Sequence, residues 1–313
     1  MTDLSGRTMP DDIDRRLPTG DEIFLDHVGH FVRDGDAACR ALERCGFAPT
    51  PISIHSDTDR AGAAAPSGTG NATAMLSRGY LEVLFKTSDT PLSRELDAAL
   101  SRHAGIHLAA FAVADAAKAH RQLAADGFRV RDLVRMERPV ETLTGVVTAA
   151  FTIARVEPEA MPEGRIQMLT HHSEPAVWQE RWLMHPNSAI GLIDVVIAVA
   201  DVDEAARRFA RFTGRAPTPT PGGALLRLDR GGVYLVTHDR ATDKLPEVPV
   251  TTLPFIVGYA IGVESLAAAE TAVDRAELEW RAIDDGIVAA FPAELGEGAW
   301  FFVERAAALP WRR

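Results

Sequence analysis

Only two cysteines occur in 313 residues, Cys39 and Cys45, so a disulfide framework is excluded. They stand six positions apart on one predicted helix, where their side chains point in different directions and do not pair readily. A reducing, cytoplasmic setting is the expectation. Positive charge is also short. Thirty-three Lys and Arg face 44 Asp and Glu, a net charge of −11, and a chain of that balance lacks the basic face that displaces counterions from nucleic acid. Nucleic acid is therefore excluded as an expected partner. No apolar run approaches the roughly 20 residues that span a bilayer, and the opening MTDLSGRTMPDDIDRR carries no apolar signal core. Residues 1–20 read as a flexible arm, and no membrane partner is expected.

What is present is a repeated phrase: a β-rich run, an acidic residue, an alanine-rich helix, then glycine and a large residue. It runs from Asp34 to Gly46-Phe47 and again from Asp115 to Gly127-Phe128, twelve positions from acid to glycine in both. A third copy, Asp201 to Gly214, takes thirteen, and a fainter fourth runs from Gly262-Val263-Glu264 toward Ala276. Repetition of this kind constrains architecture more than local propensity does. In the first copy Ile23–Val32 reads as a strand and Asp34–Arg44 as a helix with Ala37, Ala38, Ala41 and Leu42 at helical spacing. Gly46 closes that helix. Three strand-like stretches follow, residues 48–55, 72–77 and 80–85, while Ser56–Gly70 is loop by composition, of a kind that often forms a lid or mouth.

The same order recurs in the other copies, with strands expected at 106–113, 128–134, 146–153 and 165–169 in the second. Each unit is thus βαβββ, and the fold class is α+β. The length suits two domains of roughly 150 residues.

Four such units, with Leu25-Asp26-His27-Val28 seven residues ahead of Asp34, and with Gly68-Thr69-Gly70-Asn71 and Gly79-Tyr80-Leu81-Glu82-Val83 later on, resemble the vicinal oxygen chelate superfamily, in particular its glyoxalase-like branch. The resemblance covers most of residues 23–305. It implies that units pair into cupped, mixed eight-stranded sheets with helices outside. Modules 21–100 and 101–172 would form domain 1, residues 173–188 a linker, and degenerate modules 189–245 and 246–313 domain 2. It further implies a divalent metal (Fe, Mn, Zn, Ni or Co) inside the first cup, held from the first and last strands of the paired units. Carried over by position, the ligands are His27, Glu82 and His107. Gln167, on the last strand of unit two, is then a weak fourth ligand or a hydrogen-bond donor to substrate, and Glu82 and Gln167 are the candidate catalytic pair. Two imidazoles and a carboxylate leave adjacent positions open for chelation by two substrate oxygens.

The amide at Gln167 departs from glyoxalase I-like sites, which carry glutamate there. The carboxylate in the first unit departs from extradiol dioxygenases, which carry it in the second.

Other readings rest on the residues. A carboxylate between Leu81 and Val83 is costly to bury unless it is paired, which singles out Glu82. His107 precedes Asp115 by eight residues where His27 precedes Asp34 by seven, so a bulge must absorb one position. His30 falls on the opposite face of its strand. His55, Asn71 and His171 are the candidate substrate contacts. Units three and four offer little chemistry: Ile193 or Asp194 stands where the histidines stand, and His238 and Glu304 close strands. One site is expected, in the first half, with domain 2 as buttress, cap or homodimer interface. Two function classes follow, a metal-dependent isomerase, lyase or dioxygenase acting on a small oxygen-bearing molecule, and a metal-free protein that binds or sequesters one.

Overall fold

The computed structural model describes residues 14–58, 64–244, 248, 250 and 252–313. Unit one comprises β1 (Ile23–Val32), α1 (Gly35–Arg44), β2 (Ser53–Thr58), β3 (Ala64–Met75), β4 (Tyr80–Lys86) and a further helix, α2 (Pro91–Leu100). Unit two has β5 (Gly105–Val113), α3 (Ala116–Ala125), β6 (Val134–Thr142), β7 (Gly145–Arg155) and β8 (Arg165–His171). A short helix, α4 (Glu174–Val177), leads to unit three: β9 (Ala189–Val199), α5 (Val202–Thr213), β10 (Pro217–Thr220), β11 (Gly223–Arg227), β12 (Gly232–Thr237) and α6 (His238–Lys244). Unit four holds β13 (Phe255–Val263), α7 (Leu266–Arg275), β14 (Trp280–Ile283), β15 (Gly286–Ala290) and β16 (Ala299–Val303).

The units pair into two eight-stranded sheets, ordered β2-β3-β4-β1-β5-β8-β7-β6 and β10-β11-β12-β9-β13-β16-β15-β14. Within each unit the first and last strands run parallel, and the two units of a sheet join antiparallel through their first strands. The largest core cluster lies between the two sheets and under the helices, and includes Leu25, Val28, Phe111, Phe209 and Trp300.

Local chemistry explains the repeat. The acidic residue of each phrase is a helix N-cap: Asp34, Asp115 and Asp201 accept from the backbone N–H three residues on, satisfying a donor that the first turn leaves unpaired. In unit four this cap is Ser265 and not Glu264. A glycine precedes the last strand of every unit. Gly79, Gly164, Gly231 and Gly298 all have positive φ, and a Cβ on them would strike the backbone carbonyl oxygens of Asp26, His107, Ile193 and Val257 at 2.6, 2.6, 2.8 and 2.9 Å. Only glycine lets the last strand approach the first so closely. This fourfold contact sets the equivalence of the units: Asp26 matches His107, and the next residues, His27, Leu108, Asp194 and Gly258, match one another.

Several sequence expectations are corrected. Most of Ser56–Gly70 is strand, in β2 and β3, because pairing across β2, β3 and β4 satisfies backbone groups that small side chains do not shield; residues 59–63 of that stretch lie outside the described residues. The strand expected at 128–134 begins only at Val134. Helix α2, capped by a reciprocal Thr90–Ser93 pair, was not read from the sequence. The expected arm over 1–20 lies mostly outside the described residues. Within 14–20, the Arg15 carbonyl accepts from Arg230 Nη1 at 2.7 Å and Leu17 packs on the core. Among the described residues no helix is long and apolar enough to cross a membrane.

Candidate functional site

The concave side of the first sheet encloses a cavity of about 520 Å³. His27 on β1, Asn71 and Thr73 on β3, Tyr80 and Glu82 on β4, Arg155 on β7 and Gln167 on β8 line it, with His55 and Arg138 toward the rim. His27, Glu82, Gln167, Asn71 and His55 are thus brought together as the sequence suggested. His107 and His171 are not.

His107 faces away because the residue matching His27 in unit two is Leu108, which lines the cup. The seven-residue spacing to the N-cap is kept by Leu108, and β5 is bulged at His107, which has no partner on β1 and lies outside the cup with its ring beside Phe31. There its Nε2–H donates to the His103 carbonyl at 2.9 Å and its ring stacks on His103 at 4.1 Å between centroids. Burial, followed by the neighbouring His103, pushes its pKa down to about 3.

His171 turns inward beneath the cup, where its Nε2 donates to Asp26 Oδ1 at 3.0 Å. Asp26 is the residue sequence reading missed. A β-bulge between Leu25 and His27 leaves it without a partner on β5, and the bulge brings two consecutive side chains toward one another. Asp26 is fully buried and accepts from His27 Nδ1 at 2.7 Å as well. Burial opposes its ionisation, yet the charges and hydrogen bonds of His171 and His27 hold its carboxyl well below the usual carboxylate range. An ionised carboxylate only accepts, so the Nδ1 proton of His27 is committed to it and Nε2 is the atom left to gain or lose a proton.

Nε2 of His27 lies 3.8 Å from Glu82 Oε2, too far for a hydrogen bond. The other Glu82 oxygen accepts from Asn71 Nδ2 at 2.6 Å. The two groups therefore stand side by side on the cavity wall. Tyr80 stacks on the His27 ring at 4.3 Å, and its phenol stays protonated because burial and then the charges of Asp26 and Glu82 push its pKa well above 10.

Gln167 Oε1 accepts from Arg155 Nε at 3.0 Å. Among the described residues this is the only side-chain hydrogen bond of Arg155, so its terminal nitrogens are available to the cavity. Burial and the nearby Arg165 lower its pKa to about 10, leaving it charged at neutral pH. Arg165, by contrast, is paired with Glu95 at 3.2 Å. These cations come from β7 and β8 and are scattered in the sequence, which showed no basic cluster.

The three-ligand metal centre does not fit these residues. Its third member is outside the cup, the Gln167 oxygen is taken by Arg155, and among the described residues no group of three His, Cys, Asp or Glu side chains could hold a metal ion.

In the second cup, Asp194 occupies the place of His27. It is fully buried and receives Arg312 through Nε and Nη2, at 2.8 and 2.7 Å, and Trp311 Nε1 at 2.7 Å. Trp311 stacks on Tyr234 with centroids 4.8 Å apart, so the second cup is filled by the chain itself. Glu304 accepts from the Leu266 N–H at the start of α7, and His238 Nε2–H donates to the Val250 carbonyl at 3.1 Å; neither lines the first cup.

His30 packs between the two sheets. The chain Trp300 Nε1–H to Tyr259 oxygen (2.7 Å), Tyr259 O–H to His30 Nε2 (3.0 Å) and His30 Nδ1–H to the Leu295 carbonyl (3.0 Å) is complete only for neutral imidazole. Burial lowers its pKa to about 4. The folded state thus binds fewer protons than the unfolded one between about pH 6.5 and pH 4, and stability must fall on acidification through that window. His107 acts in the same direction. From pH 6.5 to 5 each should contribute about 2 kcal/mol of lost stability. Urea midpoints at pH 7.5 and 5 will measure this. His30→Asn should lessen the dependence, and an unchanged slope in that variant would refute the assignment.

The cupped pair of βαβββ units, with its chemistry on the inner face of the central strands, defines a vicinal oxygen chelate protein. The chain belongs to the glyoxalase-like domain family, whose model matches residues 25–213. No curated protein matches it. Among solved structures, a hypothetical protein from Staphylococcus aureus is similar over 90% of this chain and 98% of its own, with a TM-score of 0.60 and 10% identity. A variant of 4-hydroxymandelate synthase from Streptomyces coelicolor is similar over 90% and 92%, with a TM-score of 0.56 and 13% identity. At such identities these likenesses establish the fold alone.

Proposed function

We propose that the first cup binds a small, oxygen-rich carboxylate and that His27 moves a proton on it, in isomerase or lyase chemistry. The observation that carries this reading is the Asp26–His27 pair at the bulge, which fixes the tautomer and aims Nε2 into the cavity beside Glu82. In this reading the terminal nitrogens of Arg155 hold the substrate carboxylate, a planar fork suited to that anion. Nε2 of His27 then takes a proton from the carbon next to the carbonyl or carboxylate and, as imidazolium, gives it back to the product, while the carboxylate of Glu82, held by Asn71, stabilises the imidazolium by its charge. Positioned proton transfer of this type contributes typically 10²–10⁴-fold in rate. Tyr80 and Gln167 orient His27 and Arg155 respectively.

The test is α-proton exchange in D₂O, followed by NMR, with a panel of 2-oxo, 2-hydroxy and malonate-type carboxylates. At least one should exchange, EDTA treatment should leave the rate unchanged, and His27→Gln should abolish it. Binding of the panel without exchange would favour the sequestration class. A metal content near one per chain, lost in Glu82→Ala together with activity, would overturn the metal-free route and restore the chelation chemistry implied by the resemblance.

A further inference from the structure

Beyond the cup lies a second cavity of about 440 Å³, between α2 and the segment joining β7 to β8. Most of the exposed wall is apolar, with Ala98, Ala99, Met161 and Ile166 beside the ring of Phe31, and the carboxylates of Glu95, Glu157 and Glu159 also belong to the lining. Arg155 and Arg165 line both cavities, so the two spaces meet at this pair of guanidinium groups. The neighbouring cations on the groove side are already engaged. Arg131 pairs with Glu95 and Glu157 at 2.9 and 3.1 Å, Arg165 with Glu95, and Arg102 Nη2 lies 3.4 Å from His107 Nδ1. Arg155 is the cation at the junction whose terminal donors have no partner among the described residues.

We propose that this groove is a tail subsite and that the ligand is an amphiphilic carboxylic acid. Its carboxylate sits on Arg155 at the junction, its oxygen-bearing end reaches toward His27 and Glu82, and an apolar chain extends into the groove. The proposal rests on the carboxylate reading of the cup and adds the apolar extension to it. A polar cup and a mostly apolar groove that share one unpaired guanidinium match a molecule with an anion between a polar head and a hydrocarbon arm. A compact dicarboxylate would leave the groove walls unused.

Binding of a homologous series of monocarboxylates, acetate to octanoate, to the full chain by calorimetry tests this. Each methylene buried in the groove should tighten Kd by about fourfold until the groove is full, after which the series should level off. Ala98→Trp, which fills the groove, should flatten the slope of log Kd against chain length, and Arg155→Gln should weaken every member of the series. A flat series in the wild-type protein, with the short acids still bound and still lost in Arg155→Gln, would overturn the tail subsite and leave the cup reading standing. Failure of every acid to bind would overturn both.

Discussion

Asp26→Asn is expected to slow α-proton exchange by on the order of 10²–10⁴-fold while leaving carboxylate binding at Arg155 nearly intact, a loss in kcat and not in KM. An amide carries no charge and keeps one accepting atom where the carboxylate has two, so it holds the Nδ1 proton of His27 and the Nε2 proton of His171 less firmly, and its NH2 favours an imidazole nitrogen that is unprotonated. His27 is then driven toward the other tautomer, with its proton on Nε2 and no lone pair facing the cup. Nitrogen-15 NMR of the imidazoles reads the tautomer directly, so a structural defect and a tautomer change give different signatures. If Asp26→Asn kept the wild-type rate with Nδ1 of His27 still protonated, the positioning role assigned to Asp26 would be wrong. Loss of carboxylate binding in parallel with rate would instead mean that the bulge shapes the whole cup.

The largest effect on stability is expected in the second cup. Asp194→Ala should cost about 3–5 kcal/mol, because it removes the carboxylate that receives the buried Arg312 guanidinium and leaves the Trp311 N–H without its acceptor. The geometry is well suited to a strong pair, with two guanidinium nitrogens and an indole N–H converging on one carboxylate. Removing both charges together is a different matter. Asp194→Leu combined with Arg312→Met should recover much of the loss, since apolar side chains of similar volume often replace a buried ion pair at little cost. Urea unfolding of the single and double variants forms the cycle. A single-variant cost below about 1 kcal/mol would show that the pair contributes no more than an exposed one.

The contrast between the two cups shows how far the sequence could be read. Spacing alone marked the place of the site residue in units one to three. Counting seven back from the N-cap gives His27, Leu108 and Asp194. The eight-residue interval to His107 was the signal of an irregular strand. The bulge expected there exists: His107 is skipped in the pairing of β5 with β1, as Asp26 is skipped in the pairing of β1 with β5. Glu82 and Asn71 were legible because both stand at alternating positions on paired strands and face one cavity. Gln167 was legible by its match to Glu82, but its partner Arg155 was not, because nothing in the local sequence distinguishes an inward arginine near the end of β7 from a solvent-exposed one.

By itself the sequence determined the βαβββ repeat, the N-caps that start the first helix of units one to three, and the glycines that bring last strand against first. These are local matters, settled by backbone geometry within a few residues. Tertiary structure alone decided the pairing of Asp26 with both His27 and His171, the junction of cup and groove at Arg155, and the filling of the second cup by Trp311 and Arg312. Each of these depends on which side chains a given strand register and one bulged residue bring within hydrogen-bond reach across distances of 100 residues or more along the chain, and that register emerges only when the sheets close.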